Sequence, residues 1–375
     1  MAEREGFEPS IRFCRILTFQ ASAFDHSATA PHALGGDALK RGDARRKLSR
    51  RQLHHTLAKG SIAGMIATAL TLLLAPVIAA AEPAAPPKLA PSEIVAAAPA
   101  NDWRAIPASE LLVMDLAPAP VSGKPRRVVI QLIPAPFSQP WVRNIRALAT
   151  AHWWDGASVN RVQDNYVAQW GGSTGKKPLP AGLAPASQDD YAASLTSTEL
   201  GPIMAAPGQD AYAPQTFTWR GWPIAAERSV AGRTIAWPVH CYGMVGVGRD
   251  MPPDAGNGSE LYAVIGHAPR HLDRNIALVG RVIEGIDLLS SLPRGTEALG
   301  VYASTAEQVP IVAVRLASEL PAAEQPRFEY LATESTSFAR YADARANRRD
   351  AFFIRPARGA DICNLPTPIR RVAMR

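Results

Sequence analysis

The sequence predicts a mainly β fold, an antiparallel barrel or sandwich with helices packed at its ends, on two observations. Short runs rich in β-branched and apolar residues recur at 128–133, 241–247, 260–265, 276–282 and 311–316, with Gly, Pro, Asn and Asp concentrated between them. Two segments alone, 138–152 and 284–292, carry a helical pattern, and no internal repeat divides the chain. With 375 residues and 47% hydrophobic side chains, the chain can bury a full core as one large domain or two ordinary ones.

The formal charge of +7 is unevenly placed. Residues 1–81 hold 11 Lys/Arg against 6 Asp/Glu, which leaves 29 against 27 for residues 82–375. The later part is therefore close to neutral, and no Lys/Arg run beyond Lys59 exceeds a pair. Phosphate binding needs a concentrated basic face, so nucleic acid is excluded as an expected partner. His152, His240, His267 and His271 lack metal-ligand spacing and read as ordinary surface or core histidines; neither a metal nor a cofactor is expected. Of Cys14, Cys241 and Cys363, the last two remain if the first 81 residues are absent. An oxidising compartment would permit them to pair, but spacing in sequence does not decide whether they meet.

Taken from the N-terminus, residues 3–32 show neither period nor targeting pattern and resemble the translation of the strand opposite a transfer-RNA gene. Residues 1–40 are thus expected to come from an over-extended translation start. Residues 41–81 read as an export signal: a basic flank at 45–59, an uncharged apolar run at 61–81, and Ala79-Ala80-Ala81 before Glu82. The alternative is a membrane-spanning helix, since the run approaches the ~20 residues a bilayer needs; Pro76 and the Ala-rich end point instead to cleavage. Ser49-Arg50-Arg51-Gln52-Leu53 also resembles a twin-arginine export motif. Residues 82–110, rich in Ala and Pro, read as an extended linker.

A folded domain is expected over 111–318. Val128–Ile133 reads as a buried strand stopped by Pro134 and Pro136, which bring no N–H to a ladder. Ser138 is placed to cap a helix with Pro140 in its first turn and Val142, Ile145 and Leu148 at three-residue steps. Asp155-Gly156 marks a turn before the strand-like alternation around Val159 and Arg161. Residues 173–240 show no defensible period and read as a long irregular insertion. Strands then return as far as Ile311–Leu316. Residues 319–375 form an extension whose Phe328, Tyr330, Phe338, Tyr341, Phe352 and Phe353 imply packing on the domain.

Within this order a family resemblance becomes specific. Asn144-Ile145, Trp154-Asp155-Gly156 and Val159-Asn160-Arg161, followed by Val162, Tyr166, Gln169 and Trp170-Gly171-Gly172, resemble the first half of the cyclophilin domain. Gly243–Val247, Asn257-Gly258-Ser259-Glu260-Leu261-Tyr262, Leu272-Asp273 and Val279–Gly285 resemble its second half, in the same order. The resemblance covers about 125–317, apart from most of 173–240. It implies a closed antiparallel eight-stranded barrel with two capping helices that binds prolines on its outside.

The resemblance also implies peptidyl-prolyl cis-trans isomerase activity, a rotamase reaction, on proline-containing polypeptide clients. Isomerising an X-Pro bond needs no covalent step: it needs a donor aimed at the prolyl nitrogen and an apolar pocket for the ring. Arg161 matches the catalytic arginine, whose guanidinium presents several N–H groups in one plane. Tyr166, Tyr262 and Leu272 match the proline pocket, Val247 an apolar wall, and Gln169 a glutamine that holds the substrate. Departures are Asn160 for histidine, Trp170 for glycine, Glu260 for glutamine, Leu261 for phenylalanine, and His271 near a tryptophan position. Glu260, at a substrate-binding position, cannot donate as an amide does, and beside Arg161 it would neutralise the guanidinium. Two readings therefore stay open: a periplasmic isomerase assisting exported proteins and free of the membrane once its signal is cleaved, or a cyclophilin-like binding or scaffold module with weak or no turnover. A hydrolase is disfavoured, because Ser259 lacks a nucleophile elbow.

Overall fold

The computed structural model describes residues 88–172, 177–229 and 232–372. The over-extended start expected at 1–40 and the export signal expected at 41–81 lie outside the described residues. In chain order the elements are α1 (Pro91–Ala96), β1 (Trp103–Ile106), β2 (Leu111–Leu116), β3 (Arg126–Leu132), α2 (Gln139–Thr150), β4 (Ser158–Val162) and β5 (Val167–Gly171). There follow β6 (Ala193–Leu195), α3 (Ser197–Leu200), β7 (Met204–Ala205), β8 (Gln215–Trp219), β9 (Trp222–Arg228) and β10 (Thr234–Pro238). The remainder is β11 (Met244–Val247), β12 (Leu261–Val264), β13 (Leu278–Glu284), α4 (Ile286–Ser290), β14 (Val309–Leu316), β15 (Phe328–Leu331), α5 (Thr336–Ala346) and β16 (Ile369–Arg371).

Eight strands close into a barrel in the order β11-β12-β5-β4-β14-β2-β3-β13, with antiparallel neighbours throughout. Period-two alternation fills it: Leu112, Met114 and Leu116 of β2 and Val128, Ile130 and Leu132 of β3 belong to the main core. The intervening Leu111, Val113 and Val129 face the other way into a second apolar cluster with Ile106 and Phe328. Because β2 is buried on both faces, it reads in sequence as a continuous apolar run without alternation.

Helix α2 packs Trp141, Val142, Ile145 and Leu148 into the main core. Ser138 does precede it, but its backbone is left-handed and its hydroxyl makes no cap bond, unlike the expected arrangement. A missing cap costs about 1 kcal/mol, whereas each buried apolar side chain returns about 1.5–3 kcal/mol. Packing therefore decides this helix.

Three expectations are corrected. The insertion at 173–240 is not irregular, for β6-β10-β9-β8-β7 form a five-stranded antiparallel sheet within it. Its central hairpin turns at Arg220-Gly221, both with positive φ (47° and 81°), the geometry of a two-residue primed turn. An arginine in that place hides the usual Asn-Gly signal. Within the linker expected at 82–110, α1 buries Ile94, and β1 pairs with β15 in the sheet β1-β15-β16. Phe328 of that sheet lies in the cluster over the outer side of β2 and β3. In the 319–375 extension Phe328, Phe338 and Tyr341 are buried, while Phe352 stands 84% exposed, contrary to the expectation for the tail aromatics. The question left open for Cys241 and Cys363 is answered by a disulfide between them, with Cα atoms 5.1 Å apart.

Candidate functional site

Arg161 owes its direction to an irregularity in β4. Val159 pairs with Trp170 and Arg161 with Gln169, so Asn160 is an extra residue opposite a single step of β5. A bulge of this kind re-aims the next side chain. Val159 and Val162 both enter the barrel core, and Arg161 is left on the face that carries Gln169. Gln169 pairs in turn with Tyr262 of β12, which sets Arg161, Gln169 and Tyr262 side by side across three strands.

The Arg161 side chain is almost fully buried and its nitrogens are oriented: Nε donates to the Leu299 carbonyl at 2.8 Å, Nη1 to Gln169 Oε1 at 3.0 Å, and Nη2 to Gln163 Oε1. Its guanidinium carbon lies 5.7 Å from the Tyr166 ring centroid. The amide of Gln169 points its nitrogen the other way, to Glu260 Oε2 at 3.0 Å. Glu260 therefore meets the guanidinium through Gln169 as intermediary. Burial raises the Glu260 carboxyl above its ordinary range, against the opposing donation from Gln169.

Tyr262, Leu272, Val167, Val264 and Ile276 form an apolar cluster separate from the barrel core, with Tyr166 and Leu299 packed on it. Burial pushes the Tyr166 phenol up to about 12, despite the nearby Arg161 charge, and its hydroxyl has no hydrogen-bond partner among the described residues. His271 stacks on the Tyr166 ring. The Tyr262 ring has room because β11 carries Gly246 opposite it; a Cβ there would collide with the ring.

The structure thus brings together Arg161, Tyr166, Gln169, Glu260, Tyr262 and Leu272. It does not bring Val247 to them. In β11 the period of two sends Val245 and Val247 into the barrel core and leaves Gly246 on the outer face, which corrects the expected apolar wall. Trp170 and Leu261, two of the departures, are core side chains.

Sequence reasoning missed the residues that present the loop before Glu260 and the phenol of Tyr262. Trp141 Nε1 donates to the carbonyls of Ala255 and Gly256, Trp154 Nε1 to that of Ser259, and Asn144 Nδ2 to that of Asn257. His240 Nε2 lies 3.1 Å from the Tyr262 hydroxyl. The Asn144 and Trp154 positions were visible as motif residues, whereas no spacing marks His240. Among the described residues no cluster of three His, Cys, Asp or Glu side chains is arranged to hold a metal ion.

The family model for cyclophilin type peptidyl-prolyl cis-trans isomerase/CLD matches residues 125–316. Among solved structures the chain is similar to the cyclophilin AquaCyp293 from Hirschia baltica, with 20% identity, a TM-score of 0.56, and coverage of 72% of this chain and 93% of that one. A cyclophilin type peptidyl-prolyl cis-trans isomerase from Cryptosporidium parvum aligns at 12% identity with a TM-score of 0.32, covering 55% of this chain and 96% of that one. No curated protein sequence matches.

Proposed function

Since this chain belongs to the cyclophilin type peptidyl-prolyl cis-trans isomerase family, we propose that it isomerises X-Pro bonds of exported polypeptides, with Arg161 as the catalytic donor. The observation that carries this reading is the Arg161 guanidinium held over Tyr166 beside the cluster of Tyr262 and Leu272. Amide resonance sets a rotation barrier of about 18–20 kcal/mol. As the bond twists, the prolyl nitrogen recovers its lone pair and becomes a hydrogen-bond acceptor that a guanidinium can stabilise. The three bonds that orient Arg161 before substrate arrives lower the reorganisation needed at that moment. The apolar cluster takes the ring, and Gln169, hydrogen-bonded to the arginine, takes the peptide.

Export is part of the proposal. The basic flank and apolar run at 45–81 and the Cys241–Cys363 disulfide support an oxidising compartment, the periplasm. Proline-containing clients folding there would be spared an isomerisation that takes tens of seconds or longer unaided. Glu260 favours a second reading, a peptide-binding module with slow turnover, since a carboxylate at that place accepts where an amide would donate. The test is the cis-to-trans rate of several short X-Pro peptides with the full chain added. Acceleration supports the isomerase; binding without acceleration supports the module. Cell fractionation tests export, and recovery of the chain in the cytoplasm alone would contradict it.

A further inference from the structure

We propose that His240 is a positioning residue for the proline pocket, fixing the Tyr262 ring through its hydroxyl; this rests on the isomerase reading above. Tyr262 is 2% exposed, so its phenol must find its partner inside the protein. His240 is fully buried, its ring stacks on that of Tyr262 with 6.4 Å between centroids, and its Nε2 meets the hydroxyl. The other side of the imidazole is held by Asp273, whose Oδ1 accepts from both the backbone N–H and Nδ1 of His240 at 3.0 Å. A carboxylate only accepts, so in the neutral imidazole Nδ1 carries the proton and the Nε2 lone pair faces the Tyr262 O–H. Burial holds that phenol well above its ordinary value, so its proton stays in place to donate.

The relay continues beyond the pocket. Asp273 Oδ2 takes Arg270 Nε at 2.7 Å, and the Arg270 fork closes on Asp210 at 2.7 and 3.1 Å, all with buried side chains. Asp210 lies in the insertion, and Asp273 directly follows Leu272 of the pocket. One carboxylate therefore secures two pocket walls, Tyr262 through His240 and Leu272 through the chain, with the insertion bracing it from behind. A residue that only filled space would act alike whether position 262 bore a hydroxyl or not. A positioning residue would not.

The test is a double-mutant cycle in the full chain, read as kcat/KM for an X-Pro peptide, with peptide affinity by calorimetry and a melting curve for each variant. Leaving the buried phenol without its partner predicts that His240→Leu loses about tenfold in kcat/KM and affinity, chiefly through KM. On a Tyr262→Phe background the same change should cost less than about twofold, because no hydroxyl remains to orient. An equal loss on both backgrounds, or no loss on either, overturns the inference. Should His240→Leu fail to fold, His240→Phe, which keeps a flat ring but no polar atom, replaces it in the cycle under the same criteria. A wild-type chain that binds but does not turn over refutes the isomerase reading while affinity still decides this one; a wild-type chain that does neither overturns both.

Discussion

Replacing Cys363 with serine opens a covalent loop of 122 residues that runs from the approach to β11, through the second half of the barrel, into the C-terminal extension. In the chain-entropy account a closed loop of this length restricts the unfolded ensemble by about 5 kcal/mol, and losses on removing native disulfides fall at about 2–5 kcal/mol. The extension keeps its other anchors: β15 paired to β1 and β16, Phe338 and Leu365 in their own cluster, and Tyr341 Oη on the Pro366 carbonyl at 2.7 Å. The native state should therefore keep its shape, and the loss should appear as global stability of about 3–5 kcal/mol. For a large domain that is a fall in Tm of roughly 6–20 °C. Thermal melts followed by near-ultraviolet circular dichroism, on oxidised wild type, wild type in dithiothreitol and Cys363→Ser, should show the last two together and below the first. A reduced protein that melts with the oxidised one would refute the reasoning, since the bond would then constrain nothing that unfolding releases.

Other outcomes follow from single contacts. The Glu260 carboxyl is raised above 4.5 by burial, so the native state holds its proton more tightly than the unfolded chain does. The stability this contributes is full below about pH 4.5 and is lost as pH rises through the folded value; Glu260→Gln should thus raise Tm at pH 8 and lose that advantage below about pH 4.5, and an unchanged Tm difference across the range would contradict it. Asn144→Ala removes bonds to Ala184 N, Ala184 O and Asn257 O at 2.7–3.1 Å from a buried side chain. It should cost about 3 kcal/mol in urea denaturation and speed proteolysis near residue 184; a loss under about 0.5 kcal/mol would refute the clamp.

How far the sequence carries the fold depends on where each element's signal resides. Val128–Ile133 and the Val142, Ile145, Leu148 steps announce β3 and α2 because their buried faces have the right period. The strand at 111–116 is silent because both its faces are covered, one by an extension more than two hundred residues away. The insertion sheet is silent because its hairpin turns on Arg220-Gly221, and Gly-, Pro- and Ala-rich stretches on either side blur its strands. Arg161 was found through the surrounding motif, but the bulge at Asn160 that aims it has no signature in composition. His240, Asp273, Arg270 and Asp210 are joined across separations of 33 and 60 residues, and only folding brings them together. Val247 went astray for a simple reason: its neighbour Gly246 shows no apolar alternation, so the inward face of β11 cannot be told from the outward one.

The central claim, that Arg161 lowers the rotation barrier, is tested most directly by the cis-to-trans rate of an X-Pro peptide with wild type, Arg161→Lys and Arg161→Ala of the full chain, all folded by melting curve. Loss of a preorganised donor predicts a fall in kcat/KM of about 100- to 1,000-fold for alanine. Lysine should recover little of it, because a single ammonium cannot keep the contacts to Leu299, Gln169 and Gln163 while facing the prolyl nitrogen. Alanine and wild type accelerating the peptide equally would contradict the account.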